Sequence, residues 1–444
     1  MRSSRVFSGV ALLTMLVSVA SATTLDAQGS GARPPLADSV APSDPIARLQ
    51  ARINSGDVVF ARDSTFGYLP ALLKALNIPL SSQGLVFSRT SLQTDKIAPW
   101  TPRAIFFNDD VYVGYVPESH FLEIAAVDAK AGAVFYTLSH EPRARPTFSR
   151  ETTTCLMCHQ SKAATGGVPG FMVLSTLADR YGYPIVGAHE GTTTDATPVK
   201  QRFGGWYVTG THGTTGHSGN VFSPKLGHEV YDKQEYRKQF SLTTESARKD
   251  LSDKFDPSIH LTGHSDIVAL MVLVHQTTVH NLITITHDAA RDVLRFAPAA
   301  DGARTATADD YSTGPAARLK YAVDRLVRAM LFVDEAPLDG VMRGTTGFTE
   351  DFARQGVRDR TGRSLRDFDL EHRLFKYPLS FLIYSESFDA LPDVARREVY
   401  RRLWVVLGGA DANPDFQRLS DVDRTAVREI LAATKPEFAA MRPR

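Results

Sequence analysis

The chain contains two cysteines in 444 residues, and both lie in one five-residue unit, Cys155-Leu156-Met157-Cys158-His159. No disulfide can therefore tie distant segments together. The fold must be held by buried apolar surface alone, which a chain of this length can supply. Composition agrees, since 43% of residues are hydrophobic and 22% charged. These values suit a globular protein and exclude a disordered, collagen-like or multi-span membrane chain.

The spacing itself points to chemistry. Two thiols three positions apart fall on the same side of one helical turn. C-x-x-C-H is the attachment signature of c-type haem, in which both sulfurs form thioethers and the histidine becomes the proximal iron ligand. With two Cys and 13 His available, the pattern arises by chance about one time in ten thousand. The second ring nitrogen of His159 is expected to donate to a backbone carbonyl. A redox dithiol is a competing reading, but it calls for a preceding strand in a βαβ setting, and RARPTFSRETTT before Cys155 does not read as one. A zinc site would need two further ligands, and a short-loop disulfide is the plain structural alternative.

The first 22 residues read as a secretory signal peptide. Arg2 and Arg5 precede an apolar run over 6–19, and Ala20-Ser21-Ala22 offers a cleavage site. Cleavage after Ala22 would take the formal charge from +1 to −1. Such a chain has no overall field to steer phosphates, so no nucleic-acid partner is expected. Residues 23–45 read as a flexible lead-in. No later apolar run reads as a membrane span, so a soluble periplasmic protein is expected.

In these residues the chain resembles the c-type cytochromes, over the motif itself. The segments 102–116 (PRAIFFNDDVYVGYV), 155–159, 204–213 (GGWYVTGTHG) and 265–276 (SDIVALMVLVHQ) are similar to an uncharacterised family of exported bacterial haem-motif proteins. That resemblance would cover most of the chain. It implies one covalent haem c and leaves the reaction open.

Between residues 84 and 138 the chain is rich in Val, Ile, Phe and Tyr and is cut by turns at 109–110 and 129–132, which reads as antiparallel strands. Strand-like pieces resume at 171–177, 184–187 and 204–209. Beyond about residue 230 the period shifts to helix, with candidates at 232–240, 266–286, 316–332, 379–388, 395–407 and 421–434. Asp393 and Ser420 are candidate N-caps for the last two. The expected class is α+β, with a β-rich haem-binding region over 46–230 and a mainly helical region over 231–444.

The second axial position decides function. Met271 and His275 fall on one stripe of the 266–286 helix. His212 and His217 lie in the glycine-rich loop 209–220, TGTHGTTGHSGN, which follows Trp206-Tyr207 and could approach a flat ligand closely. That loop is placed marginally ahead of the helix, and Met172 last. The favoured function is electron transfer by a monohaem protein to or from a redox partner protein or a small-molecule donor or acceptor. The alternatives are a haem oxidoreductase with an open distal face and a haem-based sensor. No GxGxxG after a strand, GxxxxGK[ST], HExxH or GxSxG motif supports another enzyme class.

Overall fold

The computed structural model describes residues 43–229, 247–296 and 314–441. The signal peptide, most of the lead-in and the helix expected at 232–240 lie outside the described residues. The described chain is α+β, with antiparallel sheet in its first half and helices in its second.

Helix α1 (Pro45–Ser55) begins earlier than the lead-in allowed. Asp44 caps it by accepting from the Ile46 and Ala47 amides, and its other oxygen accepts from Tyr136 Oη at 2.7 Å. After α2 (Leu69–Ala75) come strands β1 (Gly84–Val86), β2 (Arg103–Phe107), β3 (Val111–Tyr115), β4 (Phe121–Asp128), β5 (Gly132–Ser139) and β6 (Phe148–Glu151). With β9 (Trp206–Tyr207) they form one antiparallel sheet in the order β6-β5-β4-β3-β2-β1-β9. Strand β6 was not legible in the sequence, because it is a short edge strand in which only Phe148 is buried. A second sheet has the order β11-β7-β8, from β7 (Leu174–Asp179), β8 (Pro184–Thr192) and β11 (Phe222–Ser223). Strand β10 (Thr211–His212) pairs with β12 (Met342–Arg343).

Alternation along the strands gives the large sheet two different faces. Leu85, Phe106, Val113, Ile124 and Leu138 point toward α1 and α2 and form one core with Ile46, Leu49 and Leu72. Val86, Tyr112 and Phe135 point the other way, toward the long helix α5 (Ile267–Phe296). That helix is 30 residues long, ten beyond the expected end. It is the one helix among the described residues long and apolar enough to cross a membrane, yet 94% of its apolar window is buried inside the protein. The sheet covers part of it. Helices α6 (Gly314–Met330), α7 (Phe348–Arg354) and α8 (Asp393–Leu407) complete its surroundings through Leu326, Phe352 and Leu403, and α9 (Asp421–Thr434) packs on α8 within the same core. Sequence on both sides of residue 230 thus shares one core.

Two local expectations are corrected. The single helix read at 379–388 is a short turn at Phe381–Tyr384 and a separate one at Glu386–Asp389, divided by Ser385, which caps the second by accepting from the Phe388 amide. Asp393 is the first residue of α8, and Pro392 occupies the cap. Ser420 does cap α9, accepting from the Asp423 amide.

Candidate functional site

The C-x-x-C-H unit follows β6 directly. Helices α3 (Leu156–His159) and α4 (Lys162–Thr165) are single turns separated by Ser161, which caps the second by accepting from the Ala164 amide. Glycines 166 and 167, both at positive φ, then reverse the chain. The reversal brings Gly170 back onto the motif. The Gly170 amide donates to the His159 carbonyl at 2.8 Å, and His159 Nδ1 lies 3.0 Å from the Gly170 carbonyl.

A carbonyl oxygen only accepts, so Nδ1 carries the proton and Nε2 keeps its lone pair. Burial holds His159 below its ordinary pKa, with the Gly170 hydrogen bond acting in the opposite sense. The imidazole is therefore neutral, oriented and nucleophilic at Nε2. The Phe135 ring packs beside it at 4.7 Å between centroids. Gly170 is in turn held from α5. Asn281 Oδ1 accepts from the Phe171 amide at 2.8 Å, and Asn281 Nδ2 donates to the Phe171 carbonyl at 2.7 Å. A Cβ on Gly170 would lie 2.3 Å from Asn281 Oδ1, so only glycine fits there.

Cys155, Cys158 and His159 line a cavity of about 520 Å³. Its volume lies within the roughly 300–1,000 Å³ typical of small-molecule sites. One wall is the sheet face carrying Ile105, Tyr112, Ala125 and Phe135, and the others come from Phe171–Leu174, Trp206, and Leu273 and Thr277 of α5. The lining is mainly apolar, with a polar row on the sheet. Arg103 Nη2 pairs with Glu123 Oε2 at 2.6 Å and occupies the space left by Gly114, where a Cβ would come within 2.7 Å of the guanidinium. Arg103 Nε and Glu123 Oε1 are buried and have no hydrogen-bond partner among the described residues. The thiols are free. Burial, with Glu151 nearby, pushes the Cys155 thiol up to about 11. A nucleophilic dithiol needs its thiolate stabilised, so this environment disfavours that chemistry. No βαβ unit surrounds the motif either, because β6 pairs antiparallel with β5.

None of the four expected distal residues lines the cavity. Leu273 and Thr277 face it, and residues two positions earlier in a helix lie about 200° away, which sends Met271 and His275 to the opposite side of α5. There Met271 Sδ accepts from Arg202 at 3.2 Å. Both His275 nitrogens are engaged, Nδ1 with Asp195 at 2.7 Å and Nε2 with Ser380 at 2.8 Å, and its ring stacks on Phe332. This Asp–His–Ser alignment has the order of a hydrolytic triad, but Ser380 is fully buried and cannot meet a substrate. His212 and His217 are also buried, with rings 4.9 Å apart, and burial pushes His217 down to about 3. The glycines of their loop serve backbone-on-backbone packing instead of a flat ligand. A Cβ on Gly213 would meet the Asp339 carbonyl at 2.8 Å. Met172, ranked last from sequence, does line the cavity, as does Met157. Arg89, Arg103 and Glu123 were missed altogether, because a single charged residue in a bend or a strand carries no motif.

No family model, no curated protein and no solved structure matches this chain. The resemblance to c-type cytochromes and to an exported haem-motif family is corrected accordingly. It comes down to the C-x-x-C-H spacing, which five residues can share without common descent. Among the described residues there is also no group of three or more His, Cys, Asp or Glu able to hold a metal ion, which leaves the zinc alternative without ligands.

Proposed function

We propose that Cys155 and Cys158 attach one haem covalently in this cavity, that His159 is its ligand through Nε2, and that the exported chain transfers electrons to or from a redox partner. One observation carries the reading. Both thiols and an imidazole already held at Nδ1 line the same largely apolar cavity of about 520 Å³. Haem, when bound, supplies a one-electron iron couple.

The chain's own residues do the rest. The Gly170 carbonyl orients His159 and raises its basicity at Nε2. Phe135, Tyr112 and Trp206 supply apolar wall, and Arg103 and Glu123 supply the polar atoms still in need of partners. Met172 lines the cavity with a thioether sulfur that could serve as a further iron ligand. Cys158 is exposed and Met157 is 75% exposed, so the attachment edge of the cavity lies at the surface. An exposed edge suits exchange with an external redox partner.

The test is production of the full chain in a host that exports it and matures covalent haem. Mass spectrometry should show one haem added, and acid–acetone extraction should leave the colour with the protein. The Cys155→Ala/Cys158→Ala double variant should be colourless or lose its colour on extraction. A wild-type chain that takes up no haem, or releases it on extraction, overturns the proposal.

A further inference from the structure

The charged side chains lining the cavity are Arg89, Arg103 and Glu123, two cations against one carboxylate. Glu123 is already committed to Arg103. Arg89 has no ion pair among the described residues, yet its guanidinium is fixed in place. Its Nε donates to the Tyr181 carbonyl at 3.0 Å, Nη1 donates to the Thr94 carbonyl at 3.1 Å, and its Cζ stacks 4.4 Å from the Tyr183 ring centroid. The turn that supplies these partners is itself tightly built. The Arg89 amide donates to the Gly182 carbonyl at 2.8 Å, and a Cβ on Gly182 would lie 2.5 Å from the Phe87 carbonyl. Carbonyls and a ring face orient a cation without neutralising it. Thr90, Ser91 and Thr94 line the cavity beside it.

We infer that Arg89, with the hydroxyls of Thr90, Ser91 and Thr94, forms a carboxylate-binding rim at which the polar edge of the cavity's occupant is held. Resting on the haem reading above, the carboxylate is a porphyrin propionate. The occupant's apolar body then lies against the sheet face and α5, with its thioether edge at Cys155 and Cys158. The rim replaces the loop 209–220, whose histidines are packed elsewhere, as the source of polar partners. A pre-positioned guanidinium loses little side-chain freedom on binding a carboxylate, and a charge-assisted hydrogen bond to it is among the stronger ones.

The experiment uses the full haem-loaded chain as wild type, Arg89→Gln and Arg89→Lys. Arg89→Gln should keep its covalent haem, shift the propionate bending band in the resonance Raman spectrum, and favour the oxidised form by about threefold or more, because a nearby positive charge stabilises the reduced iron. Each tenfold is about 59 mV for a one-electron couple. Arg89→Lys should restore most of the potential and part of the band shift. A haem-loaded Arg89→Gln variant with unchanged band and potential overturns the rim while leaving haem attachment standing. A band shift without a change in potential, or the converse, also overturns it. A wild type that takes up no haem overturns the attachment reading and the rim together.

Discussion

Substituting Gly170 by Ala tests how the fold aims His159. The added Cβ would sit 2.3 Å from Asn281 Oδ1 and 3.0 Å from Thr165 Cβ, so Asn281 must leave. Its two hydrogen bonds to Phe171, at 2.8 and 2.7 Å, go with it. Each leaves a buried backbone group unpaired at about 1–3 kcal/mol, for a total of about 2–6 kcal/mol. Gly167→Ala is the control. Unlike Gly170 it sits at positive φ, but a Cβ there meets nothing within 4 Å, so it costs only the left-handed conformation, roughly 1–2 kcal/mol. Chemical denaturation of both variants beside the wild type measures the difference. The haem-loaded Gly170→Ala protein should also show an altered spectrum, since the carbonyl that orients His159 moves. A Gly170→Ala protein no less stable than Gly167→Ala would refute the claim that Asn281, through Phe171 and Gly170, positions the imidazole.

Two further outcomes are expected. His275→Ala should destabilise the protein by about 3–5 kcal/mol, because it leaves buried Asp195 and Ser380 groups unpartnered and opens a cavity. The haem spectrum should not change, and a changed spectrum would place His275 at the iron after all. Acid should also destabilise the fold. Burial pushes His217 down to about 3 and His260 and His280 to about 4, from an ordinary 6.5. The unfolded chain then binds protons that the folded chain refuses, so stability falls as pH drops below about 6.5, by roughly 1.4 kcal/mol per pH unit for each histidine, and levels off near pH 3–4. His260 has both ring nitrogens buried without hydrogen-bond partners among the described residues. His260→Leu should therefore be more stable at pH 7 by about 1–3 kcal/mol and show a shallower acid slope. An unchanged slope in pH-dependent unfolding would contradict this.

The sequence by itself determined whatever is local. The two thiols and His159 are carried on one turn by their spacing, and the strands between 84 and 139 follow from runs rich in Val, Ile, Phe and Tyr broken by turns. Ser420 caps its helix because a serine before an acidic first turn has one favourable place to put its oxygen. What sequence could not decide is which way a helix buried on nearly every side presents its residues. A surface helix announces its inward face by polarity. Along the apolar run of α5, polarity is nearly uniform, so nothing in the pattern showed that Leu273 and Thr277, and not the Met271 and His275 stripe, would face the cavity. Only the position of the sheet chose between them. The 209–220 glycines were ambiguous for a similar reason, since freedom of φ serves a close backbone as well as a flat cofactor. Arg89 and Arg103 became site residues through contacts with residues 181–183 and with Glu123 two strands away, across Gly114 of β3. Long-range pairing of that kind leaves no periodic trace along the chain, and tertiary structure alone brings it about.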